Sequence, residues 1–256
     1  MRGVLVGGIG QLYQGDHDLG RRVAERLQQE ALGPAVVVEE MHYGAVAVGQ
    51  LLDDLRPDLL VLVGTTQRGH PPGTVSRRHV SEFEFLPSEA QDAVASAVTG
   101  YVTIDLVLEV ASGLGGLPAR TVVIEVEPAR TDPSEHLSPE AERALEEALE
   151  LARAEVGRAP LLVLADRLRG LVAEAEDRLE PTPALEALEE LLGELEILER
   201  EGRWAGTFAA RDRLRLRIAT GQTGEGMTHL DWSLWWNLIE ELDRLQPLEA
   251  VRGLDR

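Results

Sequence analysis

The 256-residue chain contains no cysteine and no lysine; all 25 of its basic residues are arginine. The first absence excludes disulfides, thiol nucleophiles and zinc–cysteine sites. The second excludes Schiff-base and lysine-nucleophile chemistry, and with them the lysine of a Walker phosphate loop. No apolar run approaches the length of a membrane span, and no basic, apolar N-terminus reads as a signal peptide. Neither a Gly-x-Ser-x-Gly elbow nor a His-Glu-x-x-His helix occurs. Positive charge is scarce: 25 basic residues face 45 acidic ones, and the net charge of −20 repels nucleic acid and anionic membranes. The expectation is a cytoplasmic protein whose partner is another protein or a small molecule, with no nucleic acid and no membrane.

The hydrophobic fraction of 44% is enough for a real core. The length suits one large domain, or one domain plus a smaller one. The chain opens on an apolar strand, Val4-Leu5-Val6, which leads through Gly8-Ile-Gly-Gln-Leu-Tyr-Gln-Gly-Asp-His-Asp-Leu-Gly20 into a helix with Leu19, Val23 and Leu27 four apart. A strand, a glycine turn and a helix start form half of an α/β unit. Ligands of open α/β sheets bind at the carboxyl ends of the strands, where Asp16, His17 and Asp18 fall. Asp16 or Asp18 also suits a helix cap, and His17 an exposed turn.

Further apolar runs follow at Val36–Val38, Leu59–Val63 and Thr121–Val126, and Thr74–Val80 reads as an edge strand whose Arg77-Arg78 face solvent. Helices are expected over 16–32, 46–55 and 88–112, and Ser138-Pro139-Glu140 starts another with a capping serine and a proline in the first turn. Alternating strands and helices predict a three-layer α/β/α fold with a mostly parallel twisted sheet over residues 1–157. Residues 158–256 read as a mostly α-helical C-terminal extension: a helix over 161–179, a linker at Glu180-Pro-Thr-Pro183, and an acidic helix carrying Leu185, Leu188, Leu192 and Leu195. In that extension Arg213, Arg215 and Arg217 alternate with apolar residues, and Trp232, Trp235 and Trp236 share a segment capped by Thr228. The tryptophans serve either as the extension's small core or, with the arginines, as a partner-docking patch.

The residues Gly8-x-Gly10-Gln11, Asp16 and Gly20, with Pro72-Gly73-Thr74 after an apolar strand and Leu117-Pro118 before the last one, carry a resemblance over roughly 60% of the chain. This stretch resembles the hydrogenase maturation proteases, endopeptidases that cut a C-terminal peptide from the large subunit of nickel-iron hydrogenases. The resemblance implies an endopeptidase that recognises the nickel of its substrate, with no cofactor of its own. Its partner would be a hydrogenase large subunit or a maturation factor. Of the three ligand positions implied, the turn ligand falls at His17, directly after the matching Asp16. The strand-three aspartate falls at Val63 or Gly64, and the helix histidine near Thr99 or Gly100. A further aspartate of the pattern falls at His42 or Tyr43.

Divalent nickel takes imidazole and carboxylate donors from separate elements, so Asp16 and His17 are the metal-contact candidates, with His42 and His70 as donors from neighbouring loops. Two other readings stand beside proteolysis: a non-catalytic assembly or scaffold protein on the same fold, and a nucleotide-binding enzyme using Gly7-Gly8-x-Gly10 and Glu39-Glu40.

Overall fold

Five apolar segments pair into one sheet of order β2-β1-β3-β5-β4: β1 Val4–Ile9, β2 Val36–Met41, β3 Leu59–Thr65, β4 Val75–Val80 and β5 Thr121–Val126. The computed structural model describes residues 3–80, 102–114, 116–176, 183–201 and 216. Within the sheet β2, β1, β3 and β5 run parallel, and β4 joins the edge antiparallel to β5. The three central strands β1, β3 and β5 are buried almost throughout. Their unbroken apolar runs fit strands covered on both faces.

Helices lie on both sides of this sheet. On one face α2 (Ala45–Leu55) and α3 (Ile104–Gly113) pack over Leu5, Leu60, Leu62 and Val123, with Ile104, Val107 and Leu108 fully buried. On the other lies α1 (Leu19–Gln28), entered through a single 3-10 turn at Gly15–Asp18. The first turns of α4 (Pro139–Glu176) run beside α1, joined by the Arg26–Glu146 pair and by Arg153 to Glu30 at 2.7 Å. The approach of α1 to the sheet is set by two glycines. A methyl group on Gly8 would lie 2.1 Å from the Gly20 carbonyl oxygen, and one on Gly20 would lie 2.1 Å from that of Ile9 and 2.3 Å from that of Val63. Only glycine permits such a backbone-to-backbone contact. It brings the residues before α1 over the carboxyl ends of β1 and β3.

Several local expectations are corrected. The helix expected from Asp16 begins at Leu19, and the strand expected over Val36–Val38 continues to Met41. Of the helix expected over 88–112, residues 88–101 lie outside the described residues; Thr103 is extended, and its hydroxyl accepts from the Leu106 N–H at 3.1 Å, capping a helix that starts at Ile104. Arg77 is not a solvated edge residue. Its guanidinium binds Glu155 of α4 at 2.8 Å, with side-chain exposures of 10% and 2%, because α4 covers that end of the sheet. Ser138 caps α4 as expected, its hydroxyl accepting from Ala141 N–H at 3.1 Å. This helix runs through Gly157 and Pro160 to Glu176, so the separate helix expected from Leu161 is its continuation.

The chain divides into two compact units, residues 1–156 and 157–256. In the second, α5 spans Pro183–Glu201 with Leu191 and Leu195 buried, and Arg169 meets Glu199 at 3.3 Å. Leu192 is only half-buried, so the inward seam includes Leu191 in its place. Of the linker expected over 180–183, residues 180–182 lie outside the described residues, and Pro183 is the first residue of α5. The Thr228 cap, Arg213, Arg215, Arg217, Trp232, Trp235 and Trp236 also lie outside the described residues.

Candidate functional site at the carboxyl edge of the sheet

Asp16 and His17, adjacent in sequence, point to different places. The Asp16 carboxylate is fully buried. Its Oδ2 accepts from the backbone N–H groups of Ala129 and Arg130, both at 2.8 Å, and from the Ser138 hydroxyl at 2.9 Å; its Oδ1 accepts from the Ser138 N–H at 2.7 Å. Four donors occupy the carboxylate. It ties the turn before α1 to the segment between β5 and α4. Backbone pairs extend this zip: Gly15 N–H donates to Ser134 O at 2.9 Å, and Ser134 N–H to Tyr13 O at 2.9 Å. Asp18 is likewise engaged, by Arg21 and by Arg22 at 2.9 Å.

His17 faces a cavity of about 260 Å³ at the carboxyl ends of β1 and β3. Gly10 and Gln11 form its β1 side, Thr65, Thr66 and Gln67 its β3 side, and Val102, Thr103 and Asp105 the entry to α3. The imidazole Nδ1 and the Thr65 hydroxyl are 2.8 Å apart, a bond that orients the ring. On the same wall the Thr66 hydroxyl is buried without a hydrogen-bond partner among the described residues. Sequence reasoning missed Thr65, Thr66, Gln67, Thr103 and Asp105. For the β3 residues a signal existed: they directly follow an apolar parallel strand, where ligands of such sheets bind.

Burial holds the His17 imidazole below its ordinary value of 6.5, outweighing the opposite pull of the Asp16 carboxylate. The folded protein therefore keeps the ring neutral to lower pH than the unfolded chain does. Stability associated with neutral His17 is complete above about 6.5 and declines below it, as the unfolded chain takes up the proton first. Urea midpoints compared at pH 7 and pH 5.5 are expected to fall less in His17→Gln than in the native protein; equal declines would contradict this assignment.

Beside the cavity lies a charged network. Arg68 reaches Asp105 at 2.7 Å and Glu125 at 2.6 Å, and Arg78 reaches Glu125 at 3.3 Å. Glu127, nearly buried, accepts from the backbone N–H groups of Arg68, Gly69 and His70 at 2.8, 3.3 and 3.2 Å. Burial alone would raise its carboxyl, but these three donors bring it below the ordinary value. They pin the loop after β3.

The other histidine candidates do not join His17 on the cavity wall. His42 is exposed after β2, its ring edge-on to Tyr43 at 5.7 Å. His70 is exposed in the loop held by Glu127. Among the described residues no three His, Asp or Glu side chains are grouped to hold a metal ion. Val63 and Gly64 lie in β3, and Thr99 and Gly100 fall outside the described residues. Of the Glu39-Glu40 pair named for the nucleotide reading, Glu40 lies 3.8 Å from Arg21.

No family model matches the chain, and no curated protein matches it. Solved structures similar to it include hydrogenase maturation proteases. A hydrogenase 2 maturation peptidase from a Thaumarchaeota archaeon is 26% identical, over 59% of this chain and 95% of that one, with a TM-score of 0.43. The hydrogenase maturating endopeptidase HybD of Escherichia coli is 25% identical, over 59% and 89%, with a TM-score of 0.45. The NiFe hydrogenase maturation protease HycI of Thermococcus kodakarensis is 21% identical, over 60% and 92%, with a TM-score of 0.44. Among the described residues no helix is long and apolar enough to cross a membrane.

Proposed function

We propose that this chain acts in hydrogenase maturation by engaging the large subunit of a nickel-iron hydrogenase, with His17 contacting nickel that the subunit carries. The observation that carries this reading is the placement of one imidazole on the wall of a cavity at the sheet's carboxyl edge. It stands in the turn whose Gly8, Gly10, Asp16 and Gly20 fall in register with the maturation-protease pattern. A single imidazole can add one donor to a nickel ion already held by another protein. With Val63-Gly64 and Thr99-Gly100 at the other two ligand positions, and no histidine between His79 and His136, recognition is favoured over the usual cleavage. Peptide-bond cleavage is the second reading, favoured by the glycine and aspartate pattern itself. The tryptophan- and arginine-bearing segment after residue 210 is the proposed partner-docking part of the extension.

The test uses the full chain and a nickel-loaded large-subunit precursor. Capture of the precursor at unchanged mass, weakened in His17→Ala, is the expected result. A precursor shortened at its C-terminus would move the assignment to the protease reading. A precursor that is neither captured nor shortened would overturn the proposal.

A further inference from the structure

The turn that carries His17 also displays two apolar side chains to solvent. Leu12 is 51% exposed and Tyr13 is 63% exposed, and they directly follow Gly10 and Gln11 of the cavity wall. Tyr13 sits at φ +63°, in the left-handed region that bulky side chains rarely adopt. The surroundings hold it there. Its carbonyl accepts from the Ser134 N–H at 2.9 Å, the Gly15 N–H donates to Ser134 O at 2.9 Å, and the Gln11 N–H donates to His17 O at 3.1 Å. A strained, rigid turn thus holds an aromatic ring out in water beside the cavity. We propose that Leu12 and Tyr13 form a docking knuckle for a segment of a partner protein that presents an apolar or aromatic residue flanked by basic ones. The proposal rests on the maturation reading only for the identity of that partner.

Charge and size select that occupant. Residues 9–15 carry no charge, in a chain of which 27% is charged, so the centre of the surface can be covered without desolvating an ion. Charge-poor centres holding aromatic residues, with polar rims, are the anatomy of protein interfaces. The segment after β5 runs alongside, bridged in parallel at Gln14 and Ser134. There Asp132 and Glu135 are exposed, and neither carboxylate meets a basic side chain among the described residues. An acidic rim beside an apolar centre complements an apolar residue with basic neighbours, and the net charge of −20 draws such a segment in. A second copy of this chain would bring the same acids and repel. The cavity, about 260 Å³, is smaller than the roughly 300–1,000 Å³ that encloses a whole small ligand. A polypeptide segment that reaches His17 therefore continues over the rim, where Leu12 and Tyr13 stand. Because the turn is already fixed, covering it orders little that was free.

The experiment measures the affinity of the full chain for the nickel-loaded large-subunit precursor, at two salt concentrations. An aromatic anchor at the centre of an interface is worth about thirtyfold or more in affinity, so Tyr13→Gly should bind at least roughly thirtyfold more weakly than native. Leu12→Ser should also bind more weakly. Tyr13→Gly gives up no buried contact and relieves the backbone, so it should melt no lower than native; the loss is then one of binding and not of folding. Asp132→Asn combined with Glu135→Gln should weaken binding and flatten its dependence on salt. Tyr13→Gly binding within about threefold of native, Tyr13→Gly melting well below native, or a salt dependence unchanged in the double variant would each overturn the proposal. So would a dimer of the native chain that Tyr13→Gly dissociates, seen by sedimentation, since the occupant would then be a second copy. The functional reading fails separately. Native binding that is indifferent to Tyr13→Gly removes the knuckle alone, whereas no binding by the native chain removes the hydrogenase and the knuckle with it.

Discussion

Replacing Asp16 by alanine is expected to destabilise the first unit by about 3–5 kcal/mol and to abolish precursor capture, although Asp16 touches nothing in the cavity. The change leaves the buried N–H groups of Ala129, Arg130 and Ser138 without their acceptor. Each stranded donor costs about 1–3 kcal/mol, partly relieved where water enters the space vacated. Ser138 is also the cap of α4, so the start of that helix loosens with it. His17 is the next residue along the chain, and its ring cannot hold its place against Thr65 once the turn is released. Asp16→Asn keeps the volume but sets an NH₂ group among N–H donors, and should cost nearly as much. Urea unfolding of the three proteins measures the loss. An Asp16→Asn variant within about 0.5 kcal/mol of native would show that the carboxylate is not the staple described.

Gly20→Ala is expected to cost at least about 3 kcal/mol, reversing the usual sign of a glycine-to-alanine change in a helix. Alanine ordinarily stabilises a helix interior by about 0.5–1 kcal/mol over glycine. At Gly20 the added methyl meets carbonyl oxygens of Ile9 and Val63 at 2.1 and 2.3 Å, and main-chain atoms in the centre of a sheet cannot give way. The helix must lift, carrying the turn and His17 off the cavity. A methyl group on Gly170, in α4, would meet nothing within 4 Å, so Gly170→Ala should stabilise by the ordinary amount. The pair of variants, read by thermal unfolding, is its own control: a Gly20→Ala protein as stable as Gly170→Ala would refute the close-contact account.

Asp16 and Gly20 show how far the amino-acid pattern reaches. Together with Gly8 they are visible in the sequence as a motif, and the motif invites a catalytic reading. The folded chain gives all three scaffold roles, two as contact points between backbones and one as a buried acceptor. Adjacent residues in a tight turn point to opposite sides, and nothing in one-dimensional spacing says which of Asp16 and His17 faces inward. Spacing likewise could not place Asp105, since residues 17 and 105 share a cavity only because α3 packs over β3. Nor could it foresee that Arg77, on an edge strand, is covered by α4 and paired with Glu155.

The alternation of strands and helices over the first 65 residues and the burial of β3 on both faces were determined by the sequence alone, together with the cap at Ser138. These depend on apolar periodicity and turn chemistry, which act over a few residues and are written locally. The cavity, the choice of His17 over Asp16 as its imidazole or carboxylate lining, and the pairing of Asp105 with Arg68 were decided only by the tertiary structure. They depend on side chains brought together across dozens of residues of chain, and that convergence exists only after the helices have docked on the sheet.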